Sequence, residues 1–554
     1  MGRAWEEAPA YAQDGVQRAG LQAILRSGRD RPYACGMPRA ALLALICLSV
    51  AVAGCGSGST SGGDDPASAV PTNAAIYVDA TVRPDGELRD NALAAAGKVL
   101  ATSDPQAKID ELVAKVFADS EQPKLDYARD VKPWLGEKVA LWAATTRGDE
   151  FRGAVIASAT DTEAAQAAID RAVKGSEKSF TKRSYEGVDY QASEKGAAGI
   201  VEDFAVFGTE AEFKRTVDAA KGDGLASDDR FRKATDNLED DRLGTFYFDV
   251  KTLLDQAARQ DPEAAQQLEQ AKRLFPFDKV GPVAGEFLAD GERLAVNAAA
   301  DVPEGTAAGS LGAITSGGAT PLLGELPGNS WAALGSPKLG QTIKLVYQQA
   351  AGALGGAAVE QQLRSQLGID LQEDVFSWIG DVAFFARGTT MDSIEGGAVI
   401  EVTDPAKAKA AFGKLIGLAQ SRGGAQTKPI RIEGAETAFE AALPGAPKSI
   451  VAARSEDRVV IAYGREAAAD AFSPTDKLGD SDTYSEAKSV LGGDVDPGFL
   501  ISIPAVVELA SAASGGDPEF EKAKPYLEAF SVLAGGSSRD GDRARSSFAA
   551  GLKP

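Results

Sequence analysis

Residues 130–145 read DVKPWLGEKVALWAAT, and a close variant, DVFSWIGDVAFFARGT, follows at residues 374–389. Each stretch places a tryptophan and a glycine just before an apolar run of strand length. The next segments match as well, because GAVIASATDTEAAQAAIDRAV from Gly153 returns as GAVIEVTDPAKAKAAFGKLI from Gly397. Long segments that recur in the same order indicate an internal duplication.

The matching segments define two copies. The first covers residues 70–302 and the second covers residues 326–554, since VPTNAAIYV at Val70 returns as LPGNSWAAL at Leu326. Residues 303–325, which are rich in Gly, Thr and Ala, form the connector. Two copies of this size are too few and too large for a solenoid. We therefore expect either two like domains or two halves that share one continuous sheet.

Within a copy, short strand patterns alternate with helical patterns. KVALWAA and GAVIASA have strand character, whereas TDTEAAQAAIDRAVKG has helical spacing. Several strands adjoin through short turns. Residues 146–149 separate two of them, and Asp290-Gly291, repeated as Asp540-Gly541, predicts a type I′ hairpin turn. We expect the α+β class, with a mostly antiparallel sheet packed against helices.

The amino-terminal part has the anatomy of a signal peptide. Ala40–Val52 is apolar and uncharged, and it is shorter than the ~20 residues of a membrane-spanning helix. The sequence Val52-Ala53-Gly54-Cys55 resembles the lipobox of bacterial lipoproteins, in which the cysteine thiol is diacylated and the signal is cut before it. We expect Met37 to be the true start, residues 1–54 to be removed and Cys55 to carry lipid. The alternative is a plain secretory signal with a chance cysteine.

The segment after the cysteine favours the lipidated interpretation. Residues 55–69 comprise Cys55 and the stretch GSGSTSGGDDPASA, which has the composition of a flexible tether, and a coil of this length reaches ~20 Å. Two or three acyl chains give stable anchoring, whereas one chain alone is marginal. The predicted location is the extracytoplasmic face of the cell membrane, with the lipid as the membrane contact.

Charge and composition exclude several functions. The chain has a formal net charge of −22 and no histidine. An acidic body is repelled by nucleic acid, so we expect no nucleic-acid partner. Without histidine there is no Ser-His-Asp or Cys-His nucleophile and no imidazole metal ligand. The chain has three cysteines, and Cys55 alone remains once residues 1–54 are removed, so we expect no disulfide. We also expect no cofactor and no metal.

Three motifs carry a family resemblance. They are a PWLG turn at Pro133–Gly136, a strand that ends in glycine before a helix at Val206–Gly208, and a FYFDV-type strand that opens a helix at Phe246–Val250. In a chain with an envelope signal, this pattern resembles the bacterial domain-of-unknown-function family 3352. The resemblance covers nearly all of the mature chain, implies envelope placement and supplies no catalytic residues. The second copy departs from the pattern because Ser377 stands where the first has Pro133.

Aromatic residues that recur in both copies are the first candidates for a duplicated site. Trp134 with Gly136, and Trp378 with Gly380, fit an aromatic platform for a ligand. We favour a structural role, in which each tryptophan caps a core beside a tight turn and the glycine supplies a positive φ.

Recurrent acidic residues favour structural roles too. Asp161 has capping-box spacing and Asp404 precedes a proline, so both predict helix N-caps in preference to catalytic acids. Glu186-Gly187 and Glu433-Gly434 predict turns at the start of strands.

Other patterns lack the spacing that their chemistry requires. Ser179–Lys182 and Ser485–Lys488 have S-x-x-K spacing, but the SDN and KTG elements are missing. The glycine-rich strings have no P-loop lysine and no dinucleotide fingerprint. The acidic clusters do not keep the spacing of a calcium loop, so they predict solvated turns. These clusters are Asp223 with Asp228 and Asp229, Glu239–Asp241, and Asp480 with Asp482.

The leading functional hypothesis is a non-enzymatic lipoprotein that binds or organises an envelope partner. The alternative is a carrier or sensor for a lipid or other hydrophobic molecule in a cavity between sheet and helices. Phe246–Phe248 and Phe384-Phe385 would suit the lining of such a cavity, and they would equally suit an ordinary core. A connected apolar cavity would favour the carrier, and a filled core would favour the scaffold.

Overall fold

The computed structural model shows twenty β-strands and a set of α-helices in the residues that it describes. These residues are 65–119, 125–147, 150–176, 178–260, 265–266, 268–269, 272, 279–303, 318–354, 361, 364–365, 368–422, 427–442 and 445–554.

Ten strands precede residue 303 and ten follow it. The first ten are β1 (Ile76–Thr81), β2 (Leu135–Arg147), β3 (Glu150–Ala159), β4 (Thr181–Tyr185), β5 (Val188–Ala192), β6 (Ala197–Val201), β7 (Phe204–Gly208), β8 (Gly244–Phe248), β9 (Val283–Ala289) and β10 (Arg293–Asp301). The second ten are β11 (Ser330–Ser336), β12 (Ile379–Arg387), β13 (Glu395–Val402), β14 (Thr427–Ile430), β15 (Thr437–Ala441), β16 (Ile450–Arg454), β17 (Arg458–Tyr463), β18 (Phe499–Ser502), β19 (Phe530–Asp540) and β20 (Arg543–Leu552).

Helices lie between the strands. In the first half they are α1 (Gly86–Val99), α2 (Pro105–Asp119), α3 (Thr162–Lys174), α4 (Glu210–Lys221), α5 (Asp229–Thr235) and α6 (Val250–Gln260). In the second half they are α7 (Pro321–Gly324), α8 (Leu339–Leu354), α9 (Pro405–Arg422), α10 (Arg465–Phe472), α11 (Asp482–Val490), α12 (Ile503–Ser514) and α13 (Pro518–Leu527).

All twenty strands form one antiparallel sheet. From one end, the hydrogen-bonded order is β4, β5, β6, β7, β3, β2, β1, β8, β9, β10. The order then continues as β20, β19, β18, β11, β12, β13, β17, β16, β15, β14. The expected α+β class with an antiparallel sheet is confirmed, and the sheet is continuous across the two halves.

The two halves meet where β10 pairs with β20. The pairing runs from Arg293 opposite Gly551 to Asp301 opposite Arg543, with Asn297 opposite Ser547 at its centre. The Ser547 hydroxyl donates a hydrogen bond to Asn297 Oδ1 at 2.8 Å. Counted outwards from this pair, the strands of each half come in the same order of their position along that half. The β10–β20 pair therefore lies at the centre of the twenty-stranded sheet.

The sheet has two faces with different cover. We call core face the one that carries Tyr77, Tyr247 and Phe385, because their side chains are almost fully buried. There α4 and α5 complete one apolar cluster and α10 and α11 complete another. The opposite, open face is covered at its outer strands, where α3 and α9 pack around the tryptophans of the recurrent motif.

The turn predictions are partly wrong. Gly291 does not have a positive φ, and the Asp290 carboxylate accepts hydrogen bonds from the backbone N–H of Glu292 and Arg293. Gly541 has a φ of 55°, but the residue after it does not have a positive φ. A type I′ turn needs positive φ at both central residues, so neither turn is of that type. The strands on either side of residues 148 and 149, which lie outside the described residues, do form a hairpin.

Strand contacts predict a contrast between two glycine substitutions. A Cβ at Gly285 would collide with the Asn297 carbonyl oxygen on β10 and with the Phe246 ring on β8, whereas a Cβ at Gly413 meets nothing within 4 Å. We expect Gly285→Ala to lower the free energy of unfolding by about 2 kcal/mol, as overpacking does. Gly413→Ala, within α9, should leave it unchanged or raise it by about 0.5–1 kcal/mol. Urea unfolding measures both, and equal effects would contradict this assignment.

Candidate functional site

The recurrent tryptophans are part of the core and do not form a ligand platform. Trp134 is 4 % exposed and Trp378 is 5 % exposed. Each indole Nε1–H donates to a backbone carbonyl one turn earlier, that of Asp130 at 2.7 Å and that of Asp374 at 2.8 Å. Because each indole N–H is hydrogen-bonded and each ring is buried, the two tryptophans fix the start of β2 and of β12.

The glycines beside the tryptophans act by close approach and not through a positive φ, contrary to the sequence-based expectation. A Cβ at Gly136 would lie 2.7 Å from the Ser158 hydroxyl on the neighbouring strand. A Cβ at Gly380 would lie 2.6 Å from the carboxylate of Glu401. Gly136 therefore requires a residue without a side chain, because the Ser158 backbone also lies close, whereas at Gly380 the close atoms are those of the Glu401 and Thr403 side chains.

A carboxylate recurs one turn before each tryptophan on a short π-helical segment, and it is buried in the first half and partly buried in the second. Asp130 lies in the segment Tyr127–Val131, and its carboxylate contacts Arg129 at 2.8 Å and Arg171 at 3.1 Å. The hydrogen bond from Arg129 is the main reason that the pKa of Asp130 falls to about 2. This carboxylate is ionised and held by cations, so it serves as a structural anion.

The second half repeats this arrangement with a lysine. Asp374 lies in the segment Leu371–Phe376 and accepts from Lys414 Nζ at 2.7 Å. Burial raises the pKa of Asp374, but the hydrogen bond from Lys414, a backbone hydrogen bond at Asp370 and the charge of Lys414 together outweigh this effect, so that the pKa lies below its ordinary value. Arg171 and Lys414 come from α3 and α9, so in both halves this contact ties the helix that follows the third strand to the π-helical segment.

The remaining recurrent residues have the structural roles that the sequence predicts. The Asp161 carboxylate caps α3 by accepting from Ala164 N at 2.9 Å, and Asp404 caps α9 in the same manner. Glu186 and Gly187 have φ of 48° and 78° in the turn between β4 and β5. Gly434 has a φ of 80° in the turn before β15.

The S-x-x-K pairs do not form nucleophiles. Lys182 Nζ lies 2.8 Å from Asp189, and Lys488 Nζ lies 2.7 Å from Asp496. A carboxylate partner keeps each lysine protonated and unsuited to activate a serine, and the pKa of both ammonium groups is raised. Within the described residues no group of three or more Cys, Asp or Glu side chains is placed to hold a metal. Cys55 lies outside the described residues.

An apolar row crosses the open face of the sheet. Cross-strand pairing places its members side by side on seven neighbouring strands, in the sheet order β17, β13, β12, β11, β18, β19 and β20. The members of this apolar row are Ile461, Ala398, Phe384, Leu334, Phe499, Gly535 and Phe548. Phe384 is 41 % exposed and Leu334 is 40 % exposed. With strands ~4.8 Å apart, the row is ~29 Å long.

The surroundings of the apolar row are uncharged. The next residues on the same face, two positions along each strand, are Ala550, Leu533, Ile501, Ala332, Ala386, Gly396 and Tyr463. A quarter of the chain is charged, so an exposed strip of this length without charges differs from an ordinary solvent-facing surface and is a candidate binding surface. The sequence does not reveal this row, because odd and even positions of these strands are both apolar. The same pattern is typical of strands that are buried on both faces.

A charged cleft of about 430 Å³ lies in the first half, between α4 and α6 at the ends of β2 and β3. We call it the Arg152 cleft. Its lining residues are Asn73, Ala144, Arg152, Glu212, Arg215, Lys251, Thr252, Asp255, Gln256 and Arg259. Among the described lining residues, four cations and two anions give a net charge of +2. No motif revealed it, because only the fold brings residues 73, 152 and 259 together.

Comparison with known proteins identifies the family. A family model described as "Protein of unknown function (DUF3352)" matches residues 39–547, so the chain belongs to this family. No curated protein matches the chain. Among the described residues, no helix is both long and apolar enough to span a bilayer.

Solved structures give only distant similarity. Crystal form IV of TP0453 is 12 % identical, with 43 % of this chain and 81 % of that chain covered and a TM-score of 0.23. Crystal form I is 10 % identical, with 44 % and 81 % covered and a TM-score of 0.23. Similarity at this level carries no argument about function.

The Asp130 contacts predict a pH effect on stability. Asp130→Asn should lower the free energy of unfolding by about 2 kcal/mol at pH 7, because it removes the charged acceptor of the hydrogen bonds from Arg129 and of the ion pair with Arg171. A lowered pKa means that this stabilisation is present above the ordinary value of 3.8 and is lost as the pH falls towards about 2.

Urea unfolding at pH 7 and across this acidic interval checks the effect. The Asp130→Asn variant should lose less stability than the unsubstituted protein between about pH 4 and pH 2. Glu194→Gln, which changes an exposed carboxylate, should behave like the unsubstituted protein. Parallel pH curves for all three proteins would contradict the role of Asp130.

Proposed function

We propose that this protein is a non-enzymatic lipoprotein, anchored to the extracytoplasmic face of a bacterial cell membrane, that binds the acyl chain of an envelope lipid along the apolar row. The observation that carries the proposal is the exposed, uncharged strip on the open face of the sheet. The signal-like segment, the lipobox at Cys55 and the tether support the location.

A duplication of one ancestral half is part of the same proposal. The matching segments of residues 70–302 and 326–554 support it, as does the common strand order on either side of the β10–β20 pair. Under this proposal the row is built where two copies of one fold share a sheet.

The shape of the apolar row favours a lipid chain over a protein partner. Together with the uncharged neighbours two positions along each strand, the row measures ~29 Å by ~14 Å, or ~400 Å². A stable protein interface of standard size needs ~800 Å² on each partner. A long, thin apolar strip suits an acyl chain, for which each buried methylene contributes ~0.8 kcal/mol.

The composition of the chain and the contacts of the described side chains support a non-enzymatic role. The chain has no histidine, and the S-x-x-K lysines are held by carboxylates. The carboxylates of Asp130 and Asp374 face cations and have lowered pKa values, whereas a general acid needs a raised one.

The lipobox predicts the effect of two cysteine substitutions. Cys55→Ala should abolish palmitate incorporation and move the protein from the membrane fraction to the soluble fraction, because the acyl chains are the anchor. Cys47→Ala is the matched control, since this cysteine lies in the segment expected to be removed. Metabolic labelling and fractionation of cells measure both. Label retained in Cys55→Ala would rule out lipidation at this residue.

The apolar row predicts a second result, measured on the soluble Cys55→Ala form with a fluorescent long-chain fatty acid. We expect saturable binding that Leu334→Asp with Phe384→Asp weakens at least tenfold, because two charges enter an apolar contact. Met391→Asp, which changes an exposed apolar residue away from the row, should leave binding unchanged. Equal weakening by both variants, or no binding by the parent protein, would overturn lipid binding and favour a protein partner.

A further inference from the structure

The Arg152 cleft is independent of the apolar row, and one of its cations is rigidly oriented. Arg215 on α4 donates to Glu212 Oε1 at 3.3 Å and to Asn73 Oδ1 at 2.6 Å. Its guanidinium lies 5.1 Å from the centre of the Trp142 ring, which is fully buried. Trp142 is itself fixed, because its Nε1–H donates to the Thr216 hydroxyl at 3.2 Å.

The acid beside this arginine has its oxygens occupied within the protein. Glu212 Oε2 accepts from the Thr209 hydroxyl at 2.8 Å, and Glu212 Oε1 accepts from Arg215. The side chain of Glu212 is 7 % exposed, whereas that of Arg215 is 31 % exposed. The oriented cation therefore reaches the solvent of the cleft, and the carboxylate remains behind it.

Two further arginines line the cleft without a partner. Arg152 on β3 and Arg259 at the end of α6 are exposed and make no hydrogen bond or ion pair among the described residues. Lys251 is paired with Asp255 at 2.7 Å, which neutralises that acid. Among the described lining residues, Arg152 and Arg259 are the cations without an ion-pair partner, and the charge of Arg259 also acts on Asp255, whose pKa it helps to lower.

The second half does not repeat these cations. By strand register, Glu395 on β13 stands in the place of Arg152 on β3, because Gly397 pairs with Phe385 as Ala154 pairs with Trp142. Asp470 is the sixth residue of α10, as Arg215 is the sixth of α4. Counting along α6 and α12 in the same manner places Pro504 opposite Lys251 and Ala512 opposite Arg259. The fold does not need this positive cluster, which makes a structural role a poor explanation.

We infer that the Arg152 cleft binds a phosphate group that carries two negative charges, as in a phosphomonoester. Arginine presents a planar fork of N–H donors that matches phosphate oxygens, and a dianion offsets the net charge of +2 on the lining. The chain as a whole has a net charge of −22, so this cluster of cations provides a local place where small anions are attracted. The cleft is large enough for a small ligand at about 430 Å³.

Titration of the full chain carrying Cys55→Ala with inorganic phosphate tests this inference by calorimetry in low-salt buffer. We expect saturable binding that Arg152→Gln with Arg259→Gln weakens at least tenfold, since each change removes a charge-assisted hydrogen bond to the ligand. Both side chains are exposed and unpaired among the described residues, so the unfolding midpoint should not move. The matched control is Arg431→Gln, which removes an exposed arginine of the second half and should leave binding unchanged.

Two ligands then distinguish the source of the phosphate. Equal affinity for glycerol phosphate and for a short-chain phosphatidic acid would assign the cleft to a soluble phosphomonoester, whereas tighter binding of the lipid would assign it to a lipid headgroup. Absence of saturable phosphate binding by the parent protein would overturn the inference. So would equal weakening by the Arg431→Gln control, which would show a general charge effect.

Discussion

The pairing of β10 with β20 is the contact on which the rest of the architecture depends. Nine residue pairs, centred on Asn297 and Ser547, join two ten-stranded halves into one sheet. Because neighbouring residues across a pair lie on the same face, this register places Val296 beside Phe548. If the register shifted by one residue, the core face of one half would lie on the same side of the sheet as the open face of the other half.

The two halves use equivalent positions for different chemistry. In the first half Trp142 and Arg215 meet in a stacked contact beside a cleft. In the second half Asp470 contacts Arg387, which also binds Glu395 at 2.6 Å in a buried ion pair. An ion network of this kind is satisfied within the protein and has no charge left for a ligand. The common backbone thus supports a closed polar core in one half and an open, positive cleft in the other.

Local features of this fold were accessible from sequence, and long-range features were not. The helix caps at Asp161 and Asp404 depend on three or four adjacent residues, so pattern and outcome agree. The continuous sheet depends on β10 and β20, which lie about 250 residues apart, and no local pattern specifies that contact. Turn type was wrong at Asp290 because its carboxylate organises the turn through side-chain hydrogen bonds. The Arg152 cleft escaped notice for the same reason as the sheet, since it is assembled from distant segments.

The terminal strands explain why such a long sheet stops growing. At one end β4 carries Lys182 and Arg183, both exposed, and at the other β14 carries Lys428 and Pro429. Charged side chains make an unpaired strand a poor template for a neighbouring molecule, and proline lacks the N–H that a new strand would need. At high protein concentration the sheets of neighbouring molecules are therefore poorly suited to join edge to edge into fibres.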